Sequence, residues 1–152
     1  MDGFSFDPRI APLLGEIGWH LRPERLVLAE IDGSELPVVL RLLGGLTGQF
    51  WQVSVEPGAA TLIIEESDWR RVSPAFPRAK VARFYRAISF AGALPADLVG
   101  FMAVLSAALA AAGIPLLAIC TFAHDHLLVR ESDSERAVEA IAALIERARE
   151  AA

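Results

Sequence analysis

Cysteine is almost missing from this 152-residue chain: Cys120 is the only one, which excludes a disulfide framework and a multi-cysteine zinc site. Lysine is as scarce, with Lys80 alone against thirteen arginines, a bias that reflects composition rather than mechanism. Positive charge is not in excess. The net charge of −5 and pI of about 5.2 argue against a general nucleic-acid binder. Charged residues are few (22%) beside 54% hydrophobic residues, and mean hydropathy is +0.43, which excludes intrinsic disorder. No Gly-x-Gly-x-x-Gly, Walker loop, Gly-x-Ser-x-Gly or His-Glu-x-x-His occurs, so no cofactor and no catalytic residue is assigned. Met1-Asp2-Gly3-Phe4 lacks a basic and then apolar leader, and the expected location is the cytoplasm.

Charge is also absent locally. Leu98–Ala123 is uncharged over 26 residues, the length of a membrane span. Gly113-Ile114-Pro115 interrupts it, and Leu98–Ala112 would make only about 22 Å of helix against a bilayer core of about 30 Å. The expectation is a buried helix followed by a buried strand, with no membrane contact.

What is present reads as two similar halves. Residues 1–20, with two prolines and scattered apolar groups, are expected to be irregular. Leu26–Ile31 reads as a strand, Ser34 as the cap of a helix over 35–43, and Gly44-Gly45 as its end. Phe50–Val55 and Ala60–Glu65 read as a hairpin across Glu56-Pro57-Gly58-Ala59. Asp68–Lys80, with Pro74 and Pro77, is expected to be an irregular connector, and its arginines a solvated surface rather than a nucleic-acid patch. Then the order recurs. Phe84–Phe90 reads as a strand, with Pro95 suited to a first helical position. A helix over 97–112 carries Leu98, Phe101, Met102, Leu105 and Leu109 on one face. Leu116–Phe122 and His126–Arg130 read as strands about a turn at 123–125. A final helix follows a capping box at Ser132–Glu135.

A short repeat accompanies this order. Leu62-Ile63-Ile64-Glu65-Glu66-Ser67-Asp68 matches Leu127-Leu128-Val129-Arg130-Glu131-Ser132-Asp133, and Leu36-Pro37 matches Leu94-Pro95. A tandem duplication is expected. Each β-α-β-β-α half needs one more strand to be ferredoxin-like, and the sequence does not say where it comes from.

The stretch from Gly113 to Asp133, with its apolar strand ending Cys120-Thr121-Phe122, an Asp in the turn, then Leu-Val and an acidic helix cap, resembles the ACT-domain superfamily. It is similar to small bacterial tandem-ACT proteins, to the ACT modules of aspartate kinases and to arginine sensors of the CASTOR type. Leu94–Leu105, with Gly100 at the first turn, resembles the preceding helix. The likeness is good over 84–145 and weaker over 25–66. It implies an α+β fold of two ferredoxin-like βαββαβ halves, with antiparallel sheets and helices on one face. The halves are expected over 21–70, truncated, and 84–152, joined by a connector at 71–83. The resemblance also implies regulatory, non-catalytic binding of a small ligand, usually an amino acid, at an interface between ACT units in a homodimer. It selects Leu98, Gly100 and Phe101 on one side and Thr121, Phe122, His124 and Asp125 on the other. A helix N-terminus suits a carboxylate, Gly100 permits close approach, and Asp125, the only acidic residue between 98 and 130, suits an ammonium.

Other readings compete. His124 and His126 with Cys120 could suggest a metal, but too few ligands are present. Cys120 with a histidine could suggest a small enzyme, yet an apolar strand favours a core thiol. His126 is expected to be a hydrogen-bonded structural histidine and Met102 a core residue. Asp125 serves either a turn or a ligand. A protein-interaction module with a vestigial pocket, acting on a regulated protein partner, is the remaining alternative.

Overall fold

The β-branched, apolar run at 26–31 becomes strand β2 (Leu26–Asp32), which turns Val27, Ala29 and Ile31 into a core. The computed structural model describes residues 7–92 and 94–151. Within it the chain forms two units, 23–85 and a second comprising 86–152 with the segment up to and including Arg22. This division differs from the boundaries expected at 21–70 and 84–152. Twelve elements in chain order build them, including α1 (Ile10–Glu16), β1 (Gly18–Leu21) and the β2 already given.

The 23–85 unit continues with α2 (Leu36–Leu43), β3 (Trp51–Glu56), β4 (Ala59–Glu65) and α3 (Glu66–Val72). It closes with Lys80–Tyr85, the first half of β5 (Lys80–Ala91). The strand order is β3-β4-β2-β5, with β3–β4, β4–β2 and β2–β5 all antiparallel. This is the complete ferredoxin-like βαββαβ arrangement, the fourth strand being the start of β5. Gly58 has φ of +82° and turns the β3–β4 hairpin in a conformation that favours glycine.

Two expectations are corrected here. Asp32, not Ser34, caps the approach to α2: its carboxylate accepts from the Ser34 amide at 2.9 Å and a 3-10 turn, Gly33–Glu35, intervenes. Residues 68–80 are not an irregular connector. Helix α3 fills the first part, with Trp69, Val72 and Phe76 buried in the core and Trp69 stacked on Phe76 at 6.5 Å. Pro74 and Pro77 end the helix rather than prevent it. Lys80 and two of the local arginines pair closely with acids. Lys80 pairs with Glu30 at 2.7 Å, Arg83 with Glu66 at 3.5 Å, and Arg71 with Asp68.

The second unit uses the rest of β5, then α4 (Phe101–Ala111), β6 (Leu117–Cys120), β7 (His124–Arg130) and α5 (Ser134–Ala151). Its order is β5-β7-β6, with β1 paired antiparallel to β5, Gly18 opposite Ala91 and Leu21 opposite Ile88. The missing fourth strand therefore comes from the N-terminal segment. Residues 7–20 are not irregular: Ile10 and Leu14 of α1 are buried with Phe90, Leu105, Leu109, Leu127, Ile141 and Ile145. Pro12 lies in the first turn of α1, where its missing N–H costs nothing. Residues 1–6, part of the same expectation, lie outside the described residues, as does Ala93 of the expected turn at 91–95.

Both halves share one brace that follows the sequence repeat. Asp68 pairs with Arg71, which donates to the Gly45 carbonyl just past α2. Asp133 pairs with Arg136, which donates to the Ala112 carbonyl just past α4. Each arginine thereby satisfies a carbonyl that the end of a helix leaves without an intrahelical partner. The capping box at Ser132 is not formed. Instead α5 starts at Ser134, whose hydroxyl donates to the Glu131 carbonyl. None of the helices among the described residues is long and apolar enough to cross a membrane.

Candidate functional site

Helix α4 starts one turn later than its apolar pattern predicts, at Phe101, because Gly100 takes a left-handed conformation with φ of +98°. Pro95 is therefore not its first residue but begins a turn closed by the Leu98 amide on the Pro95 carbonyl at 3.0 Å. The segment is tied down by Arg9, whose guanidinium bonds Asp7 at 2.6 Å and Asp97 at 3.2 Å. Among the described residues no side chain caps the start of α4, and its first turn holds no acid. Asp7 accepts from the Val99 amide just before the helix, and the first amides of α4 have no carboxylate of their own turn to bond.

Beside them the β6–β7 hairpin brings up Asp125. Cys120 and Asp125 are register partners, and both line a concavity of about 580 Å³ with Leu98, Gly100, Phe101 and Met102. A second concavity of about 450 Å³ is lined by Thr121, Phe122, Ala123, His124 and Asp125, and shares Leu94, Ala96 and Asp125 with the first. All seven residues selected from the sequence therefore line one of two concavities that meet at Asp125.

Their individual settings differ. Phe101 is buried and meets Phe90 edge-on at 6.1 Å, so its side chain serves the core although the residue also lines the concavity. Thr121 is committed to the hairpin: its hydroxyl donates to the His124 carbonyl at 2.8 Å and accepts from the His124 amide at 3.1 Å. That bond makes Phe122-Ala123 the turn, one or two residues before the expected one, and β7 starts at His124. Phe122 is fully exposed at the tip. Asp125 and Leu98 are half-buried. Met102, expected in the core, packs against it and lines the concavity as well.

Cys120 is exposed rather than a core thiol, because β6 is an edge strand and its side chain lies at the concavity. Burial of the thiol group, then its hydrogen bond and charge contact with Asp125, push its pKa up to about 11. At neutral pH it is a thiol, without the depressed pKa that activates a nucleophile. His126 is the hydrogen-bonded histidine the sequence suggests: Ser89 Oγ and His126 Nδ1 lie 2.8 Å apart. Sequence reading missed Ser89, an unremarkable serine in a strand, and its pairing needed the β5–β7 adjacency to be visible. Among the described residues no cluster of three or more His, Cys, Asp or Glu could hold a metal.

Comparison with known proteins agrees with this geometry. A family model for the ACT domain matches residues 80–143, the span containing β5, α4, β6, β7 and most of α5. No curated protein matches by sequence. Solved structures share the fold over both units. A Vibrio cholerae protein of unknown function, described as a possible transport protein, is 21% identical with a TM-score of 0.69, over 89% of this chain and 94% of that one. An Agobacterium tumefaciens protein is 21% identical with a TM-score of 0.67, over 85% and 89%. The regulatory subunit of aspartate kinase from Thermus thermophilus, in ligand-free form, is 14% identical with a TM-score of 0.62, over 84% and 96%.

Proposed function

We propose that the protein is a non-catalytic regulatory module that binds a small molecule, an amino acid, at the start of α4. One observation carries this reading: a helix start with no side-chain cap among the described residues and a carboxylate share one concavity. An amino acid carries a carboxylate for the first and an ammonium for the second. Gly100 and the Phe101 amide would meet the carboxylate, Asp125 the ammonium, and Leu98 with Met102 the side chain. Thr121 would hold the hairpin in register, leaving Phe122 and His124 at its rim. A second copy of the chain, in a homodimer, would cover the open side, and a change in that contact would be the output, provided the ligand favours one arrangement.

The test is a thermal-shift screen of the intact chain against the twenty amino acids. A ligand at 100 times its Kd adds about 2.7 kcal/mol, a rise of roughly 5–11 °C for a chain of this size. The reading requires such a rise with at least one amino acid and its loss in Asp125→Asn. A flat screen contradicts it and favours a second reading, a protein-interaction module, for which the fully exposed Phe122 at the hairpin tip is the specific support.

A further inference from the structure

The helix layer of the second unit has an apolar groove of its own. Helix α1 supplies Ile10, Ala11 and Leu14, α4 supplies Val104, and α5 supplies Leu144 and Ala148. They line a concavity of about 360 Å³, near the lower end of the roughly 300–1,000 Å³ of small-ligand sites. Its floor belongs to the core, since Ile10, Leu14 and Ala148 are buried. It shares no lining residue with the two concavities that meet at Asp125. Both ends of α1 are braced. Just before the helix, Arg9 bonds Asp7 at 2.6 Å and Asp97 at 3.2 Å, and Asp7 accepts from the Val99 amide. In its last turn, the Gly15 carbonyl accepts from Arg149 Nε of α5 at 2.9 Å. The helices approach closely there: a Cβ on Gly15 would stand 3.2 Å from Arg149 Cγ. A groove fixed at both ends is preorganised, so a ligand entering it has little left to order.

Two charged residues stand at this groove, Asp7 and Arg147, and their settings differ. Asp7 is already answered: the Arg9 amide and Nε donate to it at 3.0 Å and Arg9 Nη2 at 2.6 Å. Among the described residues Arg147, exposed on α5, has no hydrogen-bond or ion-pair partner. Its neighbour Glu146 is taken by Arg149. The uncommitted charge at the groove is therefore positive, and it borders an apolar surface.

We propose that this groove binds a short aliphatic carboxylate, its chain against Leu14, Val104 and Leu144 and its head group on Arg147. A guanidinium presents paired N–H donors that match a carboxylate. The chain covers apolar surface of α1, α4 and α5 that otherwise faces water. A free amino acid is a poor occupant, because its ammonium finds Asp7 already bonded to Arg9. The site therefore goes beyond the binding proposed at α4 and Asp125, and it is read at different amides.

Amide chemical shifts of the isotope-labelled intact chain, titrated with hexanoate, octanoate and decanoate, test this. Saturable shifts are expected at 10–14, 104 and 144–148, with affinity rising about two- to fourfold per added methylene until the groove is filled. Octanol should bind about fivefold more weakly than octanoate, and Arg147→Gln, at an exposed position, should remove that difference. Ala11→Phe, which fills the groove, should abolish the shifts; if it fails to fold, Arg147→Gln decides. Three results would overturn the proposal: no saturable shifts at these amides, equal binding of octanol and octanoate, or a preference for octanoate that survives Arg147→Gln. Two others would overturn it by naming another occupant. Octanoate binding that appears only in the full chain carrying Phe4→Ser and Phe6→Ser would assign the groove to the chain's own first residues. Shifts at the same amides that depend on protein concentration alone would assign it to a second copy.

Discussion

The approach to α2 in one unit and the approach to α4 in the other solve the same problem in opposite ways. Both follow the first strand of a ferredoxin-like half, and both helices end on an arginine from an Asp-x-x-Arg brace. Among the described residues helix α2, like α4, has no side-chain cap and no acid in its first turn, but the 3-10 turn that leads into it is held from within. Asp32 accepts from Ser34, and the Gly33 amide donates to the Gly58 carbonyl at 2.9 Å, so the approach is stitched to the β3–β4 hairpin. A Cβ on Gly33 would lie 2.8 Å from the Gly58 carbonyl carbon. At α4 a longer segment intervenes, among the described residues no side chain caps the helix, and the facing β6–β7 hairpin leaves a concavity. A duplicated fold thus supplies two equivalent positions, and the approach to α4 is the one that lies beside a concavity of about 580 Å³ with Asp125.

The largest expected effect belongs to the closed unit. Asp68 is 1% exposed and accepts from the Thr47 and Gly48 amides at 3.1 and 2.8 Å, from the Thr47 hydroxyl, and from Arg71. Burial raises its pKa, but these donors outweigh burial and leave it below the ordinary value. Asp68→Ala strands buried donors and should cost about 3 kcal/mol in urea denaturation. Asp133→Ala, at the equivalent but more exposed pair, should cost about 0.5 kcal/mol. Because Asp68 is depressed, its contribution is present above about pH 3.9 and is lost as pH falls through and below that value. Acid unfolding of Asp68→Asn should be correspondingly flatter below pH 4.

Next comes Gly33→Ala, which forces backbone against backbone and should cost about 2 kcal/mol. Gly100→Ala pays for the left-handed conformation, about 1 kcal/mol, and its larger effect should be on ligand affinity in a calorimetric titration. If Gly33→Ala proves as mild as Gly100→Ala, the contrast between closed and open approaches fails. Smallest is the thiol. Alkylation of Cys120 should be slow at pH 7 although the residue is exposed, and its rate should climb toward pH 11. Asp125→Asn removes the charge that helps raise the thiol, so it should alkylate faster at a given pH.

Strand β2, the β3–β4 hairpin and the strand-helix-hairpin-helix order of the second unit were legible in the sequence, because period-2 runs and Gly-Pro punctuation report local geometry. The Gly113 stop was legible for the same reason: Gly113 has φ of +69° and the Ile114 amide bonds the Leu109 carbonyl at 2.9 Å. Helix α3 was hidden because Asp68 faces inward and reads as a surface residue. Strand β1 was hidden because four residues carry little pattern, and its partner β5 is about seventy residues away in sequence. At the site, Gly100 and Asp125 could be named from the family resemblance. That Thr121 is committed to the hairpin and Cys120 is exposed depends on the edge position of β6, which no local pattern encodes.

The central claim is that the open approach to α4, opposite Asp125, is where a ligand binds, and that the closed approach to α2 is not. Amide chemical shifts of the isotope-labelled chain, recorded with each of the twenty amino acids, test it most directly. The account predicts saturable shifts at Phe101, Met102 and Asp125 with at least one amino acid, and none at 33–36. Saturable shifts at 33–36 that leave Phe101 and Asp125 unmoved would contradict it.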